Sequence, residues 1–204
     1  MEAARYPIPI GPAHSEILVI NSRFIAAAEY TPTVEAARAF IASVRAAEPG
    51  ANHHCYAYLV GYGASVTAGM SDDGEPGGTA GRPMLAVLRG ADLGDVTVVV
   101  TRYFGGTLLG TGGLVRAYSD ATRAVLALLE RGERIARHET IVQVDYDIYA
   151  AVRRVLEDVG AEIADEAFAA QVQIVTRIPI AHYAQAAAAL AELSAGRITL
   201  ELPA

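Results

Sequence analysis

The sequence predicts an α+β protein with two domains, residues 1–137 and 138–204. The chain has 204 residues, of which 52% are apolar, and this is enough to fill a core. Runs rich in β-branched residues alternate with amphipathic helical patterns along the chain. The stretch LLERGERIARHET interrupts these patterns with charge and a glycine, and the acid content rises beyond it. The domain boundary is therefore predicted near residue 137.

The first domain is predicted to open with strands and a helix. After the proline-rich leader MEAARYPIPIGPAH, the stretch EILVINSRFIAAAEY indicates one bent strand or two short ones. TPTVEAARAFIASVRAAEPG predicts a helix with Thr31 as its N-cap, Pro32 as its first residue and an apolar stripe along one face. HHCYAYLVGYG is then predicted to be a strand and PMLAVLRG a short helix.

The most strand-like run of the chain is DVTVVVTRYF, whose unbroken β-branched residues predict a central strand covered on both faces. The glycine-dense turn GGTLLGTGG leads from it into a long helix, predicted from about Leu114 to Glu130, with an apolar stripe that includes Leu114, Tyr118 and Val125. In the second domain the predicted order is TIVQVDY (strand), YAAVRRVLEDVG (helix), AEIADEAFAA and QVQIVTRIPI (strands), HYAQAAAALAELSAGR (helix) and ITLELPA (strand). This βαββαβ order is typical of a ferredoxin-like fold.

Composition and charge limit the classes of function. The sequence contains neither an amino-terminal signal pattern nor a long apolar run, which predicts a cytoplasmic protein without a membrane segment. The net charge of −7 disfavours general nucleic-acid binding. However, residues 1–137 have 12 Arg against 13 Asp and Glu, a net charge of −1, whereas residues 138–204 have 4 against 10, a net charge of −6. Every cation is an arginine, which can bind phosphate in a bidentate manner.

The segment SDDGEPGGTAGRP, residues 71–83, concentrates the carboxylates of Asp72, Asp73 and Glu75. They lack the alternating spacing and the final glutamate of an EF-hand loop, which disfavours calcium. A magnesium site stays open, since it needs only one or two carboxylates and a phosphate ligand. The local sequence favours a turn whose aspartates accept hydrogen bonds from backbone N–H groups.

The segment GGTLLGTGG, residues 105–113, has the glycines of a phosphate-binding loop but not its other residues. Thr111 occupies the position of the Walker A lysine, and Val115 occupies the third position of the dinucleotide pattern. An anion is still favoured at the start of the following helix, with Arg116 in its first turn. The alternative is an ordinary strand-to-helix turn in which Arg116 pairs with Asp120.

The segment HHC contains Cys55, the one cysteine of the chain. On a strand, His53 and Cys55 share one face and His54 takes the other, so at most one histidine can serve the thiol. Zinc would need ligands scattered through both domains, and no hydrolase signature surrounds Thr79. We therefore predict a buried cysteine and a hydrogen-bonded histidine, with no metal and no cofactor.

The segments HHCYAYLVGYG, SDDGEPGGTAGRPML and VVVTRYFGGTLLGTGGLVRAYSDA, in this order and spacing, resemble the IMPACT family and its two-domain bacterial members over essentially the whole chain. The resemblance implies a first domain with the fold of the second domain of small-subunit ribosomal protein S5. It implies a second domain similar to the last, ferredoxin-like domain of the translocation factor EF-G. Eukaryotic relatives are tied to translational control through competition for a partner of an initiation-factor kinase, and the folds suggest RNA or ribosome binding.

The resemblance also marks signature positions, none of them with a catalytic role. In the first long motif and the strand before it they are His54, Asp72, Asp73, Gly74, Glu75, Pro76, Gly78, Thr79, Gly81 and Pro83. In the second they are Arg102, Tyr103, Gly105, Gly106, Gly110, Gly113 and Arg116. We expect the two motifs to meet in space, with carboxylates from the first facing arginines from the second.

Three hypotheses follow. The leading one is a non-enzymatic, translation-associated regulatory protein that binds RNA, the ribosome or a ribosome-bound partner, with Tyr103 or Phe104 stacked on a base. Its predicted RNA- or anion-binding residues are Arg82, Arg102, Tyr103, Gly105, Gly106, Thr107, Gly110, Gly113 and Arg116. The alternative is an enzyme or small-molecule binder for a phosphorylated ligand, with Asp72, Asp73 and Glu75 as acid, base or magnesium ligands. A third gives the acidic second domain a basic protein partner.

Overall fold

A computed structural model describes residues 5–200 of the chain. The chain divides into two compact units between Arg134 and Ile135. The α+β fold class predicted from the sequence is confirmed in both units. None of the helices described combines the length and the apolar character needed to cross a membrane.

A five-stranded antiparallel sheet forms the centre of the first unit. The strands that begin in this unit are β1 (Arg5–Pro9), β2 (Ala13–Val19), β3 (Ser22–Tyr30), β4 (His53–Val60), β5 (Thr67–Ser71), β6 (Val96–Tyr103) and β7 (Arg131–Ile135). The sheet has the order β2-β3-β6-β4-β5, and β1 pairs with β7 in a separate two-stranded ribbon. Strand β6 therefore lies in the middle of the sheet, as its unbroken apolar sequence predicts.

Helices cover both faces of this sheet. They are α1 (Val34–Ala47), α2 (Gly81–Arg89) and α3 (Gly110–Leu128). Because successive strand residues point to opposite faces, Val98 and Val100 of β6 belong to the core under α2 and α3, whereas Val99 belongs to the core under α1. The sheet is therefore the middle of three layers.

Two helix starts differ from the sequence-based predictions. Helix α1 begins at Val34, and its N-cap is Thr33, whose Oγ1 accepts a hydrogen bond from the N–H of Ala36. The predicted N-cap, Thr31, is instead buried, with its hydroxyl 2.6 Å from that of Thr97. Helix α3 begins at Gly110 and not at Leu114, so its first turn contains glycines of the turn predicted to precede it.

The second unit contains a three-stranded antiparallel sheet in the order β8-β10-β9. Its elements are β8 (Arg137–Val144), α4 (Tyr149–Asp158), β9 (Glu162–Phe168), β10 (Val172–Pro179) and α5 (Tyr183–Leu193). Both helices pack on one face, where Leu156 and Leu190 share a core with Val144 and Ile174. The last predicted strand, residues 198–204, falls mostly outside the described residues, and Ile198–Leu200 do not form a strand.

Candidate functional site

The two motifs meet at one end of the first unit's sheet, where β6 ends and β4 begins. His53 of β4 is paired with Arg102 of β6. Strand β5 pairs with β4 through Ser71 and Tyr56, so the loop that follows Ser71 reaches the same end of the sheet. We expected carboxylates of the first motif to face arginines of the second, and the structure shows one such pair, Glu75 with Arg102.

A buried ion pair joins the two motifs. Nη1 of Arg102 lies 2.7 Å from Oε1 of Glu75, and the side chains are 6% and 3% exposed. The hydroxyl of Tyr118, on α3, donates a second hydrogen bond of 2.7 Å to the same carboxylate oxygen. Burial raises the pKa of this hydroxyl, so it stays protonated and acts as a donor. The pair is therefore held between the sheet and α3, away from bulk water.

The guanidinium of Arg102 also lies over two aromatic rings, those of Phe24 and Phe104. Its guanidinium carbon is 5.4 Å from the ring centre of Phe24 and 5.5 Å from that of Phe104. Its Nη2 makes one long contact, 3.4 Å, with Oγ of Ser22. Its Nε is buried and has no hydrogen-bond partner in the part of the chain that the structure describes. The guanidinium is thus paired but incompletely hydrogen-bonded.

Asp72 organises the loop that carries Glu75. Its carboxylate accepts hydrogen bonds of 2.8–2.9 Å from the backbone N–H groups of Gly78, Ala80 and Gly81, the last two at the start of α2. Burial opposes ionisation of Asp72, but these three hydrogen bonds outweigh it, and its pKa lies below its ordinary value. Asp72 is therefore an ionised turn-and-helix cap and is unsuited to act as a general acid.

Asp73 fixes the loop to β4. One carboxylate oxygen accepts a 2.6 Å hydrogen bond from the backbone N–H of His54, and the other lies 2.7 Å from Arg45 of α1. Its backbone oxygen lies 2.8 Å from Nδ1 of His53. The carboxylates of Asp72 and Asp73 are therefore both occupied by hydrogen bonds and ion pairs within the protein. No cluster of three or more His, Cys, Asp or Glu suited to a metal occurs within residues 5–200.

The side chains of Thr79, Cys55 and His54, in the first motif and β4, also form hydrogen bonds within the protein. The hydroxyl of Thr79 is buried and donates to the carbonyl of Pro76 at 2.7 Å. The thiol of Cys55 is fully buried and donates to the carbonyl of Asp72 at 3.0 Å, and burial raises its pKa to about 12. His54, on the opposite face, lies 3.1 Å from the hydroxyl of Thr101, and burial lowers its pKa. The predicted buried cysteine and hydrogen-bonded histidine are confirmed.

The glycine-rich loop after β6 passes very close to the β2–β3 turn. A Cβ on Gly105 would lie 1.8 Å from the backbone oxygen of Asn21, so only glycine fits there. Gly106 and Gly110 have positive φ angles of 82° and 70°, which glycine adopts without strain. Nδ2 of Asn21 lies 3.4 Å from the hydroxyl of Thr107. The loop is therefore shaped by its glycines to reach α3.

The predicted RNA- and anion-binding residues do not all face solvent. Arg82 and Arg116 are exposed, whereas Arg102 is buried in its pair with Glu75. Tyr103 is half-buried, and its hydroxyl donates to Glu48. Because α3 begins at Gly110, Arg116 lies in the second turn and not in the first. Asp120, the predicted alternative partner of Arg116, pairs with Arg123.

A cleft of about 440 Å³ opens between the two motifs. Its walls combine polar, aromatic and aliphatic residues with the first turn of α3, and they include His53, Glu75, Arg102, Phe104, Leu108 and Thr111. Of this lining, the sequence predicted site roles for Gly74, Glu75, Arg102 and Gly110 and a stacking role for Phe104. It gave Tyr118, which contacts Glu75, no role beyond the apolar stripe of α3. The signal that was missed is its hydroxyl, since a buried tyrosine hydroxyl normally has a partner.

Two family models match the chain: residues 20–126 match "Impact N-terminal domain" and residues 142–197 match "Domain of unknown function (DUF1949)". An "IMPACT family member" of Haemophilus influenzae is 38% identical over 98% of this chain and 97% of its own. "IMPACT family member YigZ" of Escherichia coli is 41% identical over 95% of each chain.

Two solved structures also match this chain. One described as "Crystal structure of an hypothetical protein" is 39% identical, has a TM-score of 0.76 and covers 99% of this chain and 98% of its own. Another, of the "two-domain translational regulator Yih1", is 25% identical over 60% of this chain and 46% of its own. Its TM-score of 0.38 is too low to support an argument about this protein.

Proposed function

Because this chain belongs to the IMPACT family, we propose that it is a non-enzymatic, translation-associated regulatory protein that contacts RNA, the ribosome or a ribosome-bound partner. The family's tie to translational control supports the first part of this proposal. The charges of the first unit support the second part, RNA contact.

The observation that carries the RNA contact is a set of exposed arginines on the helical layer formed by α2 and α3. Arg82 and Arg89 lie in the first and last turns of α2, which contains no acidic residue, and Arg116 lies on α3. None of the three is among the ion pairs of the described residues. Exposed, unpaired guanidinium groups are the side chains expected to bind phosphate oxygens.

The size of the effect follows from counterion release. Three phosphate contacts to a single strand predict that log K falls with log salt concentration with a slope of about −2. Binding of this kind is weak and independent of sequence, and specificity would have to come from contacts to bases. Arg102 could join these contacts only by breaking its buried pair with Glu75.

The test is co-sedimentation with ribosomes, with and without RNase, together with RNA binding at several salt concentrations. The double variant Arg82→Glu/Arg116→Glu is expected to lose association and its salt dependence. Arg38→Glu is the matched control, because Arg38 is exposed on α1, on the other side of the sheet. The proposed RNA contact is wrong if the wild type fails to bind ribosomes or RNA at low salt, or if the double variant and the Arg38→Glu control behave alike.

Two other functions have less support. The enzyme hypothesis needs free carboxylates, but Asp72 and Asp73 are hydrogen-bonded within the protein and Glu75 is paired with Arg102. The protein-partner hypothesis depends on the net charge of −6 in residues 138–204. RNase-resistant ribosome association that survives in Arg82→Glu/Arg116→Glu would favour it over RNA contact. A cytoplasmic location is part of each of these proposals.

A further inference from the structure

The cleft between the two motifs has features that neither the fold nor phosphate binding on the α2–α3 layer requires. Its floor contains the Glu75–Arg102 pair, its rim is apolar, and one wall is the first turn of α3. Its volume of about 440 Å³ lies within the range of small-ligand pockets, roughly 300–1,000 Å³.

The floor presents an incompletely satisfied cation. Arg102 is nine-tenths buried, lines the cleft, and leaves its Nε without a hydrogen-bond partner among residues 5–200. A buried N–H group without an acceptor is unfavourable, and such groups in native proteins normally indicate a bound water, ion or ligand. Among the described residues that line the cleft, Arg102 is the one with a buried side-chain N–H group that lacks a hydrogen-bond partner.

The rim presents a stacking surface. The Arg102 guanidinium lies over the rings of both Phe24 and Phe104, and of these two rings Phe104 is the exposed one, at 44%. Leu108, which also lines the cleft, is 86% exposed. Large apolar side chains exposed beside a cleft are suited to a planar, weakly polar group, which would stack on the exposed ring of Phe104.

One wall presents a site for an anion. Helix α3 is 19 residues long, and its N-cap, Leu109, makes no side-chain capping hydrogen bond. Gly110 and Thr111, the first residues of the helix, line the cleft. The first N–H groups of a helix have no acceptor within it, and the helix dipole favours a negative group there.

The carboxylates around the cleft do not oppose an anion strongly. Glu75 is neutralised by Arg102, and Asp73 is paired with Arg45. Asp72 is turned toward the N–H groups of its own loop. A ligand that places a negative group at α3 and a planar group on Phe104 therefore meets complementary surfaces at both ends.

We propose that this cleft binds a nucleotide unit, with its phosphate at the amino end of α3 and its base stacked on Phe104. The nucleotide could be free or part of a single RNA strand, since both present the same base and phosphate. If the nucleotide is part of an RNA strand, the inference deepens the proposed function and rests on it. If the nucleotide is free, the inference is independent of the proposed function.

The test uses the full chain and four variants. Calorimetry measures the binding of nucleoside monophosphates, adenosine and inorganic phosphate, and fluorescence anisotropy measures the binding of a short single-stranded RNA. Thr111→Glu places a carboxylate where the phosphate would bind, and an acidic residue in the first turn does not weaken a helix. Thr111→Gln is its neutral control of similar size. Phe104→Ala removes the stacking ring, and Leu128→Ala, at an exposed position at the other end of α3, is its control.

We expect nucleoside monophosphates to bind more tightly than adenosine or inorganic phosphate. Thr111→Glu and Phe104→Ala should each weaken binding by about tenfold or more, as expected for the loss of one stacking or charged contact. Thr111→Gln and Leu128→Ala should bind like the wild type. The melting temperatures of all variants, measured in parallel, should show that each is folded.

The inference is overturned if the wild type binds no nucleotide and no RNA, if inorganic phosphate binds as tightly as the nucleotides, or if Thr111→Glu and Phe104→Ala bind normally. RNA binding that depends on Arg82 and Arg116 but not on Thr111 or Phe104 would remove this inference and leave the proposed function standing. Nucleotide binding that depends on Thr111 and Phe104, without any RNA or ribosome association, would support this inference and remove the proposed RNA contact.

Discussion

Replacing Glu75 by Gln should destabilise the protein, because it leaves the Arg102 charge buried without its counter-ion. The two side chains are 3% and 6% exposed and 2.7 Å apart. Two unit charges about 4 Å apart interact by about 4 kcal/mol at an effective dielectric constant of about 20. Removing one partner of a buried pair typically costs about 3–5 kcal/mol. Gln still accepts hydrogen bonds from Arg102 and Tyr118, so we expect a loss of about 3 kcal/mol.

Thermal and urea unfolding followed by circular dichroism can measure this change. A loss of about 3 kcal/mol corresponds to a fall in Tm of roughly 10 °C for a chain of this size. Glu139→Gln is the matched control, because Glu139 and Arg177 form an ion pair at 2.9 Å but are 58% and 52% exposed. An exposed pair contributes only about 0–1 kcal/mol, so this variant should unfold almost like the wild type.

The double variant Glu75→Gln/Arg102→Gln separates charge from packing. Because neither charge remains, its loss of stability should be smaller, by about 2 kcal/mol, than the sum of the losses measured for the two single variants. The reasoning is refuted if Glu75→Gln behaves like Glu139→Gln, or if the losses of the two single variants are simply additive.

Four further outcomes are expected. Thr33→Ala should lower stability by about 1 kcal/mol by removing the α1 cap, while Thr33→Ser should not. Gly105→Ala should prevent stable folding, because its Cβ would lie 1.8 Å from the backbone oxygen of Asn21. Gly112→Ala, whose Cβ would enter open space within α3, should leave the Tm unchanged or raise it. Cys55, with a pKa of about 12, should resist iodoacetamide until urea unfolds the protein; labelling of the native state would contradict its burial. Burial of the neutral imidazole lowers the pKa of His54 from 6.5 on folding, so the contribution of His54 to stability is complete above pH 6.5 and is lost as the pH falls below it. The Tm measured from pH 8 to pH 5 should therefore fall less in His54→Gln than in the wild type.

The parts of the fold that follow from hydrophobic periodicity were predicted correctly. The valine run of β6 is apolar on both faces because helices cover both faces, which places it in the middle of the sheet. The meeting of the two motifs was also predictable, since their flanking strands are long enough to be recognised and share one sheet.

The errors lie where tertiary contacts override local preference. Thr31 and Thr33 are both plausible caps, and only the burial of Thr31 against Thr97 decides between them. The ribbon of β1 with β7 was not predicted, because β1 contains two prolines and β7 contains three charged residues and a glycine. Tyr118 was assigned to the core because a helical stripe reveals which face is buried but not which polar atom it must satisfy.

The acids of SDDGEPGGTAGRP now have different roles that the sequence could not distinguish. Asp72 stabilises the loop and the start of α2, and Asp73 joins the loop to β4. Glu75, held by Arg102 and Tyr118, instead forms the floor of the cleft. Substituting either aspartate should therefore act first on stability. Substitutions at Thr111 or Phe104, on the exposed rim, act on binding with little effect on stability, and for this reason they are the better probes of function.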